Sequence, residues 1–403
     1  MTRVMIIGAG IGGSATALAL HKAGFDVAVY EAHPETGEDI GAFLTLASNG
    51  MQALGQIDAA APVAEVGFDL TSIRVLSEEG AVLTKAPLGA HDDPLTRFRC
   101  LRRARLGAAL RAEVTKRGIP IRHGARLASA AEDADGVTVT FTDGDTASGD
   151  LVIGADGLNS ALRNLIAPDS PTPRYAGQRV FYGYTSDIAP KCEPGEITMI
   201  PGSTAAFGFA VSPAGETYWF ARVPGEKPLR ATEIAATTSA QWRDLLVRQL
   251  RKDDTPAADI VAATKQELLV TNARDLPDLD RWRTERMLVI GDAAHAASPA
   301  TGQGASMAIE DAVVLAKALR DTGDLATGLA LYEEIRRPRV EQNIANSARM
   351  TVNRMPDREQ RAQQNQAIQQ RQSQPSPPLQ NDELLRQIDW NTPLRAAPQV
   401  EFP

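Results

Sequence analysis

Apolar residues along this chain follow two rhythms, and the change from one to the other divides it. Near the start they are continuous: Val4-Met5-Ile6-Ile7 carries no polar interruption, as in a parallel strand buried on both faces. The proline-free, Ala- and Leu-rich stretch from Ile11 to Ala23 predicts a helix that Gly24 stops. Val27 to Tyr30, Leu151-Val152-Ile153 and Met287-Leu288-Val289-Ile290 predict further buried strands. Elsewhere apolar positions alternate. Ser72 to Leu76 and Ala81 to Thr84 flank Glu78-Glu79-Gly80 and predict an antiparallel hairpin, and Val137 to Phe141 before Asp143-Gly144 predicts another. Short alternating runs between 175 and 270, holding Phe181, Tyr182, Tyr184, Phe207, Phe209, Tyr218, Trp219 and Phe220, predict a mostly β segment with a helix at 241–251. Residues 101–117, with Leu106 and Leu110, predict a helix, and 304–350 a long helical stretch. After Pro356, Gln and Pro accumulate with few apolar anchors before Leu384, Leu385, Ile388 and Trp390, which predicts a solvated helix or disordered tail.

Length then bears on the number of cores. The chain's 403 residues exceed the roughly 250–300 at which a single core stops growing, so two domains are expected. A net charge of −8 offers no basic excess to neutralise phosphates, and neither nucleic acid nor an anionic membrane is expected as a partner. Cys100 and Cys192 are too few for a disulfide framework and show no metal-ligand spacing, so no metal is expected. The N-terminal apolar run is too short for a signal peptide, and no stretch approaches the about 20 apolar residues of a membrane span. A soluble cytoplasmic protein is the expectation.

The first candidate chemistry lies between the first strand and helix. Gly8-Ala9-Gly10-Ile11-Gly12-Gly13 fits G-x-G-x-x-G in strand–turn–helix context. Gly8 permits the tight turn, Gly10 lets the backbone approach a pyrophosphate, and Gly13 lets helix and strand pack closely. The helix N-terminus adds unpaired N–H groups and partial positive charge. Glu31, ending the next strand, can accept from ribose hydroxyls and would repel a 2′-phosphate. This loop by itself does not separate NAD from FAD.

Two later motifs place an acid after a buried strand. Gly154-Ala155-Asp156-Gly157 continues to Arg163, and Gly291-Asp292-Ala293-Ala294-His295 continues through Pro299 and Gly302-Gln303-Gly304 into a helix. With the glycine loop and Glu31, they make the chain resemble the group A flavoprotein monooxygenases, the para-hydroxybenzoate hydroxylase-like family that includes tetracycline-inactivating and antibiotic-tailoring hydroxylases. The resemblance covers roughly residues 3–350. It implies an α/β fold: a Rossmann-like FAD-binding domain at 1–70, 96–174 and 271–350, an inserted β-rich substrate domain at 71–95 and 175–270, and a C-terminal tail at 351–403. It implies that Glu31 binds the adenosine ribose, and that Arg103, in an Arg-x-x-Leu-x-x-x-Leu helix, contacts FAD, with Arg105 as the alternative. Asp292 would hold the ribityl chain as a buried acceptor, and Asp156 serves both FAD and the pyridine nucleotide. Gly41-Ala42 would line the flavin edge, and Pro299, Gly302, Gln303 and Gly304 would lie beside the isoalloxazine. His295 reads as a structural residue of its loop rather than an acid or base.

By the same resemblance, NAD(P)H binds transiently and reduces a non-covalent FAD. O2 then forms a flavin C4a-hydroperoxide that delivers one oxygen atom to a small, aromatic or heterocyclic substrate. A Baeyer–Villiger outcome on the same scaffold stays open, as does a reductase or dehydrogenase. The segment Tyr218 to Pro224 lacks the halogenases' Trp-x-Trp-x-Ile-Pro pattern. Phe181, Tyr184, Phe207, Phe209, Tyr218 and Phe220 are candidates for the substrate-pocket wall, against the alternative of ordinary sheet packing. No residue declares itself a catalytic base, and the oligomeric state is left open.

Overall fold

The computed structural model describes residues 1–34, 41–89, 93–351, 354–372 and 382–394. Its first layer is a five-stranded sheet in the order Met287–Val289, Leu151–Gly154, Arg3–Ile7, Asp26–Tyr30, Ile121–Arg122, with every pair parallel. Val4, Met5, Ile6, Leu151, Val152, Ile153, Leu288 and Val289 are fully buried, which is why these runs tolerate no polar residue. The helix Ile11–Lys22 packs on this sheet, and Gly304–Thr322 packs on that helix within the same core. Because all strands run the same way, their carboxyl ends share one edge, where open α/β sheets bind ligands.

The second layer is a seven-stranded sheet in the order Leu269–Asp275, Arg174–Thr185, Thr217–Pro224, Ala206–Val211, Glu196–Pro201, Ser72–Leu76, Val82–Pro87. All its pairs are antiparallel except Glu196–Pro201 with Ser72–Leu76. The expected hairpin at 72–87 thus forms the sheet's far edge. One face is covered by the helices Ser239–Leu250 and Ala257–Ala263. The other turns toward a three-stranded sheet, Phe43–Leu46, Phe98–Arg102 and Phe68–Leu70, which bridges the two layers.

Three expectations change. The helix expected at 101–117 begins only at Arg103, because Phe98–Arg102 pairs as a strand with Phe43–Leu46. The stretch expected to be helical at 304–350 is two helices, Gly304–Thr322 and Leu325–Met350, separated at Gly323, whose φ is 67°. Among the described C-terminal residues, 382–394 dock against the fold. Leu384 and Ile388 of the helix Asp382–Ile388 are buried in the main core. Lys317, itself buried, donates to the carbonyls of Gln387 (2.6 Å) and Asp389 (2.5 Å) at that helix's end. Trp390 lies under the cations of Lys22 and Arg320, at 5.2 and 4.8 Å. The few apolar anchors noted in the sequence are therefore enough to dock the segment. The helix Arg358–Gln372 instead stays largely exposed and is tied to the hairpin through Arg361 and Asn365, both donating to Glu78.

Candidate active site

The glycine loop leaves the central parallel strand with Gly8 at φ 104°. A Cβ on Gly8 would stand 2.6 Å from the Ala155 carbonyl oxygen, and one on Gly13 would stand 1.9 Å from the Gly8 carbonyl oxygen. Packing therefore demands both glycines. Gly10 differs: no protein atom lies within 4 Å of where its Cβ would be, and the residue is exposed. Protein packing does not require glycine there, whereas a pyrophosphate close to the backbone would. Gly12 faces Ala308 of the helix Gly304–Thr322. Glu31 accepts from Ala9 N (2.7 Å) and His33 N (2.9 Å), which fixes its carboxylate against the loop.

Asp156 and Asp292 follow neighbouring parallel strands on the same edge. Asp156 Oδ2 caps the helix Ala161–Ile166 through Ala161 N and Leu162 N, while Oδ1 is buried without a hydrogen-bond partner among the described residues. Asp292, expected to be a buried acceptor, is exposed and makes no hydrogen bond among the described residues. The strand ends before it, and its side chain leaves the sheet toward the 299–304 turn. Its Oδ1 lies 3.9 Å from where a Gly304 Cβ would stand. Pro299, Gly302 and Gly304 are exposed, Gln303 is half-buried, and Gly304 opens the long helix. Gly302 has a φ of 66°, and a Cβ there would meet Thr45 Oγ1 at 3.2 Å. Exposed glycines, a free carboxylate, an unpartnered buried oxygen and two helix N-termini at one edge suit a dinucleotide with sugar hydroxyls and phosphates.

A buried ion network that the sequence did not signal holds this edge. Asp311 accepts from His295 Nε2 (2.6 Å), Gly291 N (3.0 Å) and Arg336 Nε (2.7 Å). Burial alone would raise the Asp311 carboxyl, but His295 and Arg336 outweigh it and hold it well below the usual range. Glu310 accepts from Arg336, Arg339 and Asn49, and Asn49 also donates to Gln303 Oε1 at 3.1 Å. His295 thus fixes the Gly291-Asp292 turn, consistent with its structural reading. Arg163 is buried and donates to the carbonyls of Leu158 and Ala293, tying the two acid-bearing turns together. Its place in the Asp156 motif was the only sequence hint.

Gly41, Ala42 and the arginine helix sit where the two layers meet. Tyr184 Oη donates to Gly41 O at 2.7 Å, and Arg103 N donates to Ala42 O at 3.0 Å. Arg103 and Arg105 are both exposed, and Leu106 and Leu110 are fully buried, as their pattern requires. Arg103 also lies near Tyr182: burial pushes that phenol above its ordinary value, opposed by the charges of Arg222 and Arg103. Arg111, further along the same helix, reaches Ala9 O at 3.4 Å and carries no signal in the sequence.

The six candidate wall residues split by strand parity. Tyr184, Tyr218 and Phe220 lie on the face toward residues 41–46, with Tyr182 beside them and the Phe43 ring 5.7–6.3 Å from all four. Phe181, Phe207 and Phe209 do not. They point to the opposite face and are buried with Trp219 and Trp242 under the helices. Successive residues of a strand face opposite sides, so 181 and 182 cannot share a wall. Thr45 meets the 299–304 turn at Gly302, and Phe43, two residues before it on the same strand, meets the tyrosine face.

The fold and this edge together define a dinucleotide-binding α/β protein of the flavoprotein type with a second, largely antiparallel sheet. Residues 1–347 match the family model described as an FAD binding domain. The chain therefore belongs to that family, and FAD is its cofactor. The FAD-dependent urate hydroxylase of Klebsiella pneumoniae is 34% identical over 84% of this chain and 86% of its own length. The aurachin C monooxygenase/isomerase of Stigmatella aurantiaca is 30% identical over 86% of this chain and 88% of its own. Among solved structures, Klebsiella pneumoniae HpxO complexed with FAD and uric acid aligns with a TM-score of 0.80 at 29% identity, covering 92% of this chain and 93% of that one. No helix among the described residues is long and apolar enough to cross a membrane.

Proposed function

We propose that this chain is an FAD-dependent monooxygenase that uses NAD(P)H and O2 to oxygenate a small planar aromatic or heterocyclic substrate. The observation that carries the reading is the meeting of the carboxyl edge with the tyrosine face. The glycine loop, the unpartnered buried Asp156 oxygen and Asp292, unpartnered among the described residues, stand on one side of residues 41–46, and an aromatic wall on the other. Relatives of nearly full length act on urate and on 3-amino-4-hydroxybenzoate by name, which supports the same class.

The redox chemistry is supplied by FAD when bound, taking two electrons from the nicotinamide donor so that one atom of O2 enters the substrate and the other leaves as water. The chain's own residues hold and orient. Glu31 accepts from the adenosine ribose, Gly8, Gly10, Gly12 and Gly13 bring backbone N–H groups to the pyrophosphate, and Arg103 adds a positive charge. Asp292, released from other partners by the Gly291 turn, accepts from the ribityl hydroxyls, and Asp156 offers its second oxygen nearby. Gly41-Ala42 and Pro299 to Gly304 would flank the isoalloxazine, and the helix N-terminus at Gly304 would offer it N–H donors. Phe43 and the tyrosine face exclude water and set the ring plane of the substrate. Residues 1–70, 96–174 and 271–350 form the cofactor unit in this scheme, and 71–95 with 175–270 the substrate unit.

Purified protein should release FAD, not FMN, on mild denaturation. Its oxidation of NADH or NADPH should rise with the true substrate and consume O2, with one ¹⁸O atom from ¹⁸O2 appearing in the product. Turnover without oxygen incorporation would reject monooxygenation in favour of a dehydrogenase.

A further inference from the structure

A cavity of about 250 Å³ lies away from the glycine loop and the tyrosine face. It opens between the helices Ser48–Gln56 and Leu325–Met350, and Leu384 and Leu385 of the C-terminal helix form part of its wall. Its polar lining is mostly carboxamide. Asn49 and Gln52 come from the first helix, Gln342, Asn343 and Asn346 from the second, and Gln303 from the turn before Gly304. Arg339 is the one ionisable residue in the described lining, and its Nε and Nη2 are both engaged with Glu310, each at 2.7 Å. No charge is left over there for an ionic guest. Several amide ends are idle. Asn343 Oδ1 accepts from Thr301, Asn346 Oδ1 from Arg349 and Gln303 Oε1 from Asn49. The amide nitrogens of those three acceptors, and both ends of Gln52 and Gln342, make no hydrogen bond among the described residues. Ser48 Oγ, on the same wall, is buried and also without a partner among them. Amides are a poor way to close a hollow, since each one buried unpaired costs about 1–3 kcal/mol. They are a good way to line one that takes a polar guest.

We propose that this cavity is a second small-molecule site, for an uncharged ring compound with a lactam or carboxamide edge, and that its occupancy is felt at the flavin through Gln303. A carboxamide presents a donor and an acceptor side by side, and so does a lactam, so the two pair edge to edge. Phe98, Met307, Leu384 and Leu385 take the body of the ring. The volume is below the about 300 Å³ at which pockets begin to accept drug-sized ligands, which limits the guest to one or two rings. Among the described lining residues only Gln303 reaches both sites. It faces the cavity, stands at the N-cap of the helix Gly304–Thr322 and lies in the turn assigned above to the isoalloxazine. Asn49 holds it at 3.1 Å while also donating to Glu310, so a guest that engages the Gln303 amide pulls on that turn and on the ion network together. Binding in the cavity is independent of the monooxygenase reading; the coupling to the flavin rests on it.

The test uses the FAD-loaded enzyme, equilibrium dialysis and the flavin absorption spectrum. The probe is 2-quinolone, a two-ring lactam, and its control is 2-methoxyquinoline, which keeps the rings and loses the N–H donor. The lactam should bind roughly 3- to 10-fold more tightly than the ether, the range expected for one neutral hydrogen bond, and should shift the flavin absorption as it saturates. Asn346→Trp and Gln342→Trp, each placing an indole at the cavity, should each remove that binding with FAD content and melting temperature held. Phe220→Ala, on the tyrosine face, should leave it in place. Excess NADH without oxygen should not displace the probe, because no described cation is idle at the cavity to meet its phosphates. Displacement by NADH would make the cavity a seat for the nicotinamide carboxamide and overturn the proposal. So would equal binding of lactam and ether, no binding in the millimolar range, binding that survives both tryptophan variants or is lost in Phe220→Ala, or saturation that leaves the flavin spectrum unmoved. Failure of the wild-type protein to hold FAD would instead overturn the flavoenzyme reading and leave the dialysis result to decide the cavity by itself.

Discussion

The two faces of the seven-stranded sheet are made by the same strands and have opposite characters. On the helix-covered face Phe181, Phe207, Phe209 and Trp219 are fully buried, and the one polar side-chain atom among them is accounted for. Trp219 Nε1 donates to Thr264 Oγ1 at 2.9 Å, and that hydroxyl donates on to Ile260 O. On the other face, one residue along each strand, are three phenols and Arg222, whose Nε and Nη1 have no hydrogen-bond partner among the described residues. The first face is closed by two helices, and the second packs against the three-stranded sheet through the buried Phe43. The parallel layer repeats the contrast with two carboxylates. Asp311 is held by His295, Gly291 and Arg336, whereas Asp292 has no such partner among the described residues. Satisfaction marks what holds the fold, and openness marks what meets a ligand.

Substitutions on adjacent residues test this most severely. Trp219→Ala should cost about 3–5 kcal/mol of stability in denaturant unfolding, with FAD still bound by whatever remains folded. Phe220→Ala, one position on, should cost clearly less and instead weaken binding of a ring substrate. Equal losses of stability from both would break the comparison.

The carboxylates come next. Asp311→Asn should cost about 3 kcal/mol at neutral pH, since it uncouples a buried ion network. It should also change the acid limb. Asp311 is held below its ordinary value of 3.8, so its contribution is present in full above that value. It is lost as pH falls through and below it, toward the lower folded value. Wild-type stability should therefore fall more steeply below about pH 4 than that of Asp311→Asn, which circular dichroism against pH would show. Asp292→Ala should leave stability of the cofactor-free protein nearly unchanged. It should weaken FAD binding by about 1.5–3 kcal/mol, or ten- to a hundredfold, in a fluorescence titration. Unaltered FAD affinity would remove Asp292 from the site.

The smallest effect sharpens the boundary between the layers. Tyr184→Phe removes only the bond to Gly41 O, and should cost about 1 kcal/mol. Because Gly41 lines the proposed flavin edge, its mark should be a shift in the flavin absorption envelope rather than in melting temperature.

Much of the site is legible in the sequence because its signals are local. A strand, a glycine turn and a helix N-terminus lie within one short stretch, and so do an acid and the strand that ends before it. Gly8, Gly13 and the Asp156 and Gly291-Asp292 turns stand where the pattern required, for steric reasons visible in the distances around them. The aromatic wall is only half legible. Composition marks six aromatic residues, but a strand's parity does not say which face a second layer will cover, and Phe181, Phe207 and Phe209 went to the core. The C-terminal segment misleads because composition weighs the many glutamines, while docking depends on four anchors and a buried lysine that meets them.

The sequence by itself determined the two kinds of sheet, the glycine turn and the acids that follow the parallel strands, since each follows from neighbours in the chain and the geometry of one backbone. Tertiary structure decided which face of the antiparallel sheet is core and which is wall. It also decided that Asp311 is tied to Arg336 while, among the described residues, Asp292 has no hydrogen-bond partner and Arg222 no acid. Those outcomes depend on groups far apart in the chain arriving within about 3 Å of one another, and on which groups fail to arrive.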